Sequence, residues 1–260
     1  MGPRRIARPK PPSVTGPQRD VMTSERERET TDPQSGESAE GVKAADAAEA
    51  AEGAEAAEAA EAAGTATAAD AYDALVTDPA LGSVVEAHGP LSLEPAEDLY
   101  ERLVVSLIRQ QVSMEAAAAI RERLFERVEV TPEAVLAADR ELLRDAGLSA
   151  AKTDYVRSTA RAFRERGWDH DYFAGMDDTA VADELSEVRG IGPWTAKMVL
   201  LFGLSRPDVF PVEDLGIRKG MRAVFDEDLS RSEMRERASA WTPYRSYASL
   251  YLWRAVENGE

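Results

Sequence analysis

The chain contains no cysteine, which excludes disulfides, thiolate zinc sites and iron–sulfur clusters. Histidine is nearly absent as well. His88 and His170 stand far apart with no second ligand at metal spacing, so each reads as an ordinary loop or surface residue. No metal and no other cofactor is therefore expected. No apolar run approaches the roughly 18 residues of a membrane span, and the N-terminus lacks an apolar signal core. The expectation is a soluble, cytoplasmic monomer with no membrane partner. Aromatic residues are missing from Met1 to Asp70, where Ile6, Val14, Val21 and Val42 are the only branched aliphatics. Such a stretch buries too little apolar surface to offset chain entropy, so residues 1–70 are expected to be a disordered tail. Residues 71–260 remain as a single folding domain, long enough for one core.

Positive charge is scarce too. The chain carries 48 acidic and 31 basic residues, a formal net charge of −17, and only five lysines. A phosphate-binding protein normally shows a basic face, so this balance argues against a nucleic-acid partner. Acidity, abundant alanine and few lysines also read as adaptation to concentrated salt, a halophilic composition. The Debye length falls to about 3 Å at 1 M salt. Lysine–phosphate attraction would then matter less than backbone amides, stacking and shape.

The tail has its own texture. Met1 to Pro17 is basic and proline-rich, and Met22-Thr23-Ser24-Glu25 reads as an ordinary acidic N-terminus, an expected alternative start. From Ala44 to Ala63 acids recur at every third position, Asp46, Glu49, Glu52, Glu55, Glu58 and Glu61, separated by alanine or Gly53. Alanine and glutamate favour helix, but a period of three drifts around a 3.6-residue turn and gathers no apolar stripe. A solvated, partly helical linker is the expected result, with a binding tail as the rival reading.

Beyond Asp70 helical periodicity begins. Leu99, Leu103, Leu107 and Ile108 mark one apolar face that ends near Gln110-Gln111. Ser113 caps a helix from Met114 to Arg127, with Glu115 in its first turn. Thr131-Pro132-Glu133 opens a short helix, and Gly147 closes another. Ser149 caps Ala150 to Arg166, whose Tyr155, Val156 and Phe163 face inward. Further helices are expected from Asp177 or Thr179 through Ser186, and over Pro193–Leu204, Val212–Val224, Ser232–Ala240 and Tyr244–Glu257. Val128-Glu129-Val130 is too short to support a sheet, so the fold class is all-α, about ten short helices with brief connections.

One stretch carries chemistry. In Leu185-Ser186-Glu187-Val188-Arg189-Gly190-Ile191-Gly192-Pro193-Trp194-Thr195-Ala196 a helix ends, two glycines turn the chain around Ile191, and Pro193 begins the next helix. Backbone N–H groups at such a positive helix end suit one phosphate without any basic side chain. Alone, the pattern is equally a plain helix-turn-helix corner.

With its surroundings it becomes specific. Gly190-Ile191-Gly192-Pro193-Trp194-Thr195-Ala196, followed by Asp208-Val209-Phe210-Pro211-Val212-Glu213-Asp214, resembles the signature of helix-hairpin-helix DNA glycosylases, most closely their alkylpurine (3-methyladenine) branch. Ser106 to Ser113 upstream and Trp241 to Ala248 downstream agree, in the family's order and spacing. The resemblance covers roughly Leu91 to Glu257. It implies two helical subdomains, with the helix-hairpin-helix motif flanking a DNA-binding cleft. It also implies a partner, double-stranded DNA containing damaged bases, from which a nucleotide is flipped out at a cost of a few kcal/mol.

The resemblance assigns residues. Asp214 matches the catalytic aspartate, a carboxylate placed against the positive charge that builds on the sugar as an N-glycosidic bond breaks. Glu213 beside it reads as an ordinary first-turn acid. Trp194 occupies the position where bifunctional relatives carry a nucleophilic lysine, and Lys197 lies almost a helical turn away. Simple hydrolysis without a Schiff base is therefore expected. Trp194 and Trp253 match aromatic walls of the base pocket, where a cationic alkylpurine on an indole face gains about 1–2 kcal/mol; both could instead be core. Trp168 and Trp241 are assigned to packing. Gly190, Gly192, Gln110, Gln111 and Arg245 are the expected DNA contacts, with Gln111 as the wedge that fills the gap left by the flipped base. Gln110 and Gln111 could merely cap a helix, and Arg245-Ser246 could be a packing element.

Two departures from the family stand out: the acidic tail replaces the N-terminal β-rich domain of some members, and the iron–sulfur loop of others is missing. Rival readings are a glycosylase for oxidised, deaminated or mismatched bases, a non-catalytic helix-hairpin-helix DNA-binding module, and an acidic interaction protein working through its tail.

Overall fold

The computed structural model describes residues 67–257. The expectations for the tail, including its repeat and the alternative start at Met22, fall outside the described residues. Among the described residues the regular structure is entirely helical: α1 (Ala68–Leu75), α2 (Gly82–His88), α3 (Leu99–Arg109), α4 (Met114–Arg127), α5 (Pro132–Ala137), α6 (Arg140–Asp145) and α7 (Ala150–Arg166). They are followed by α8 (His170–Ala174), α9 (Asp178–Ser186), α10 (Pro193–Phe202), α11 (Leu215–Phe225), α12 (Arg231–Ala238), a 3-10 turn (Ser239–Trp241) and α13 (Arg245–Glu257). No helix among them is long and apolar enough to cross a membrane.

Caps explain most of the boundaries. Ser113, Thr131, Ser149 and Asp177 each accept a hydrogen bond from a first-turn N–H of the helix they precede, the interaction that makes Ser, Thr and Asp strong helix starts. Gly167 ends α7 in the left-handed region at φ 69, where glycine has no Cβ penalty. Three short helices escape the periodicity argument. α1 and α2 lie at the start of the domain and α8 spans only His170–Ala174, too few residues for a 3.6-residue repeat to show. The first helix starts at Ala68, inside the stretch read as tail, and Thr67 and Asp70 form a reciprocal capping box there.

Two buried clusters divide the helices. The first is built from Leu99 to Val209 and includes Leu103, Leu107, Val156, Phe163, Trp168 and Leu185. The second joins both ends of the domain, with Leu75, Leu81 and Val85 from its start and Phe210, Ile217, Met221, Trp241 and Leu252 from its end. The chain thus passes from the second cluster into the first near Leu99 and returns between Val209 and Phe210. These are the two helical subdomains. Trp168 and Trp241 are buried, one in each, with their indole N–H groups donated to Glu184 and Asp78.

The return crossing is tightly fastened. Arg206 donates to the carbonyls of Phe173 and Met176. Asp208 receives Arg245 through Nε at 2.7 Å and Nη2 at 2.8 Å. The Ser246 hydroxyl accepts from the Val209 N–H at 2.9 Å. Six residues after Asp208 comes Asp214.

Candidate active site

Asp214 caps α11 rather than lying within it. The helix begins at Leu215 instead of Val212, because Pro211 to Glu213 form a turn, closed by the Asp214 N–H to Pro211 carbonyl bond. Asp214 Oδ1 accepts from the Ile217 N–H at 3.1 Å. The same oxygen accepts from Trp253 Nε1 at 3.0 Å, and Oδ2 accepts from Trp194 Nε1 at 2.9 Å. A carboxylate has about four lone-pair sites; three are taken, and the free one is on Oδ2. The carboxylate is half-buried, its helix neighbour Leu215 being 58% exposed. A water held by the free Oδ2 lone pair is the group such an arrangement can orient.

The two tryptophans come from opposite subdomains. Trp194 is in the first turn of α10 and Trp253 near the end of α13. Both are half-buried, and Trp253 packs against the second cluster. Their N–H edges point to Asp214, which leaves ring faces to form a wall. Phe202 stacks on one face of Trp253, its ring 5.5 Å away and inclined by 27°. It lies eight residues after Trp194, about two turns along α10, and was not singled out from the sequence. The Arg102 guanidinium stands 4.8 Å from the Phe202 ring. Its Nε is buried without a partner, and burial, with Arg109 and Arg121 nearby, holds its pKa down to about 10.

Glycine makes the approach of Trp253 possible. A Cβ on Gly216 would lie 2.6 Å from Trp253 Cδ1, 2.8 Å from its Nε1 and 3.0 Å from Asp214 Oδ1. One turn on, a Cβ on Gly220 would meet the Leu252 carbonyl oxygen at 2.4 Å. The Gly-x-x-x-Gly spacing of 216 and 220 lets α11 and α13 come close enough to bring the indole to the carboxylate. It is the signal that would have found these two residues.

Trp253→Phe and Trp194→Phe each remove one donor to Asp214 while keeping an aromatic wall. Each is expected to slow any Asp214-dependent reaction by about tenfold or more, the cost of letting a reacting group drift. Single-turnover rates check this; unchanged rates would make the N–H contacts incidental.

Lys197 is spoken for. Its ammonium sits 2.9 Å from Glu213 Oε2 and 3.2 Å from Oε1, with Arg235 Nη2 3.7 Å from Oε1 of the same carboxylate. Glu213 is therefore not the ordinary first-turn acid expected: the helix begins after it at Leu215, and its carboxylate links α10 to the Asp214 turn. A paired lysine of this kind is a poor nucleophile.

The hairpin between α9 and α10 has the expected form. Gly190 adopts φ +102, and a Cβ there would lie 2.2 Å from Tyr155 Cγ. Ile191 is buried beneath it. Gly192 precedes Pro193 at the start of α10; no side chain caps that end, and a Cβ on Gly192 would meet nothing within 4 Å. The positive end of α10 thus opens outward at Gly192.

Of the remaining expected DNA contacts, two turn inward. Gln110 spends its amide on the Gly190 carbonyl at 2.9 Å and the Thr195 hydroxyl at 2.8 Å. Arg245 gives its Nε and Nη2 to Asp208, the bidentate geometry that guanidinium favours. Each braces a loop, the structural alternative set beside the DNA contact expected of it. Gln111 is exposed and left-handed at φ 54, in a turn flanked by the exposed Val112 and Met114.

Residues 104–244 match the family described as the HhH-GPD superfamily of base excision DNA repair proteins. The chain belongs to that superfamily. Bacillus subtilis YfjP is 32% identical over 189 residues, 68% of this chain and 66% of that protein, so the chain spans about two thirds of its length. Schizosaccharomyces pombe DNA-3-methyladenine glycosylase 1 is 32% identical over 177 residues, 63% of this chain and 74% of that one. A solved structure of the S. pombe 3-methyladenine DNA glycosylase in complex with abasic DNA superimposes with a TM-score of 0.65 at 28% identity, covering 71% of this chain and 95% of that one.

Proposed function

We propose that this member of the superfamily is a monofunctional DNA N-glycosylase that flips alkylated purines of the 3-methyladenine type out of duplex DNA and hydrolyses their glycosidic bond. One observation carries the reading: a carboxylate gripped by two indole N–H groups from opposite subdomains, beside aromatic ring faces. As the N-glycosidic bond lengthens, positive charge grows on the sugar, and a fixed anion close by lowers that barrier. The free lone pair on Oδ2 orients the attacking water. Trp194 and Trp253 supply faces on which an electron-poor, alkylated purine stacks. Gly190 and Gly192 present α10's outward-facing N–H groups to a backbone phosphate, and Gln111 stands where a wedge would enter the gap.

Phosphate gripping by backbone amides also accommodates the acidic composition, because it asks little of lysine. The test is release of free bases from methylated duplex DNA, resolved by chromatography, at molar potassium chloride and in dilute buffer. Release of 3-methyladenine that persists in molar salt is expected, and borohydride should trap no protein–DNA adduct. A trapped adduct would refute hydrolysis by water. Release confined to dilute buffer would refute the salt adaptation, and no release from a DNA-binding protein would favour a non-catalytic module.

A further inference from the structure

We propose that Lys152 is a positioning residue for base flipping, one that locks the Gln111 turn to the frame that also carries the hairpin. The inference rests on the glycosylase reading above. Lys152 is the third residue of α7, where the positive end of the helix repels a cation. Burial also pushes its ammonium pKa down. A lysine set against both preferences needs a strong partner, and it has two. Nζ donates to the Ile108 carbonyl at 2.6 Å and to the Gln110 carbonyl at 2.7 Å. These carbonyls lie at the C-terminal end of α3, where helical acceptors run out of partners and a cation is welcome.

What the lysine holds is unusual. The residue after Gln110 is Gln111, exposed and left-handed at φ 54, a conformation non-glycine residues rarely keep without support from their surroundings. From the same turn, Gln110 Nε2 reaches the Gly190 carbonyl and the Thr195 hydroxyl of the hairpin. Three residues on from Lys152, Tyr155 fills the space above Gly190. The first two turns of α7 therefore fasten both loops, the α3–α4 turn through Lys152 and the hairpin through Tyr155, and Gln110 ties them to each other. Lys152 itself is not catalytic, since its ammonium is spent on two backbone carbonyls.

The consequence concerns flipping rather than bond cleavage. A wedge holds a nucleotide outside the duplex only if its backbone is fixed relative to the phosphate clamp. A loosened wedge lowers the flipped population most where pairing is strong, and least where the base is already poorly paired.

The full chain is tested on duplexes carrying one 7-methylguanine opposite cytosine or opposite thymine, by single-turnover release below each variant's measured melting temperature. Lys152→Met is expected to slow release opposite cytosine by about tenfold, the scale of a small misplacement of a functional group, and release opposite thymine clearly less. Lys152→Arg, which keeps donors for both carbonyls, should restore the wild-type ratio. Gln110→Leu cuts the second tie and should reproduce the context dependence even if the methionine variant folds poorly. Equal losses in both contexts, or none, would overturn the proposal while wild type still releases base. Failure of wild type to release base in either context would overturn the glycosylase reading itself.

Discussion

Asp214→Asn should lower base release by about two to three orders of magnitude, the cost of deleting one preorganised electrostatic stabiliser of a charged transition state. The substitution isolates charge from structure. Asparagine caps a helix about as well as aspartate, so the bond from Ile217 N–H to Oδ1 survives, as does the donation from Trp253 to the same oxygen. The new amide nitrogen replaces Oδ2 and faces Trp194 Nε1, a donor against a donor where the native bond is 2.9 Å. Only that indole loses its acceptor. Thermal melting should therefore fall by a few degrees at most, while single-turnover release collapses. Retention of more than a tenth of the wild-type rate would mean that catalysis rests elsewhere.

Gly190→Ala should be the most destabilising small substitution in the hairpin, and Gly192→Ala two residues away should not. At Gly190 the new methyl would sit 2.2 Å from Tyr155 Cγ and 2.6 Å from its Cβ, and the backbone is at φ +102. Those atoms are the root of the tyrosine side chain, fixed by the backbone of α7, so the ring cannot swing away. Left-handed backbone costs about 1–2 kcal/mol for a non-glycine residue, and overpacking adds about 1–3 kcal/mol. A loss near 3 kcal/mol lowers the melting temperature of a domain this size by about 6–12 °C. Gly192 is different, with nothing within 4 Å of a Cβ. Its alanine variant should lose about 1 kcal/mol or less, from the weaker cap. It should nevertheless bind duplex DNA measurably more weakly, because the methyl stands where a phosphate would approach. Calorimetry and fluorescence anisotropy on the same two proteins separate the cases. Equal melting temperatures would refute the Tyr155 clash, and unchanged DNA binding by the Gly192 variant would remove the phosphate from that end of α10.

Much of the fold was legible because its helices announce themselves chemically. Ser113, Thr131 and Ser149 sit where their hydroxyls reach first-turn N–H groups, and that is a property of three neighbouring residues. The short helices α1, α2 and α8 were not legible, since one or two turns carry no periodicity to read. Asp214, Trp194 and the Gly190–Gly192 turn stood out through their order and spacing. The bonds that join them did not. Nothing near Gln110 or Arg245 in the chain says that their polar atoms are already taken, because their partners lie 80 and 37 residues away.

The sequence by itself determined the helical class and the hairpin, since caps, periodicity and turn glycines act within one or two helical turns; Asp214 it singled out only through the resemblance to the family's signature. Only the tertiary structure decided what surrounds that carboxylate. Trp253 reaches Asp214 because Gly216 and Gly220 let α11 and α13 come together, Trp194 meets the same carboxylate from α10, and Lys152 braces a turn more than forty residues upstream. Hydrogen bonds and steric exclusion act over about 3 Å in space, with no regard for separation along the chain.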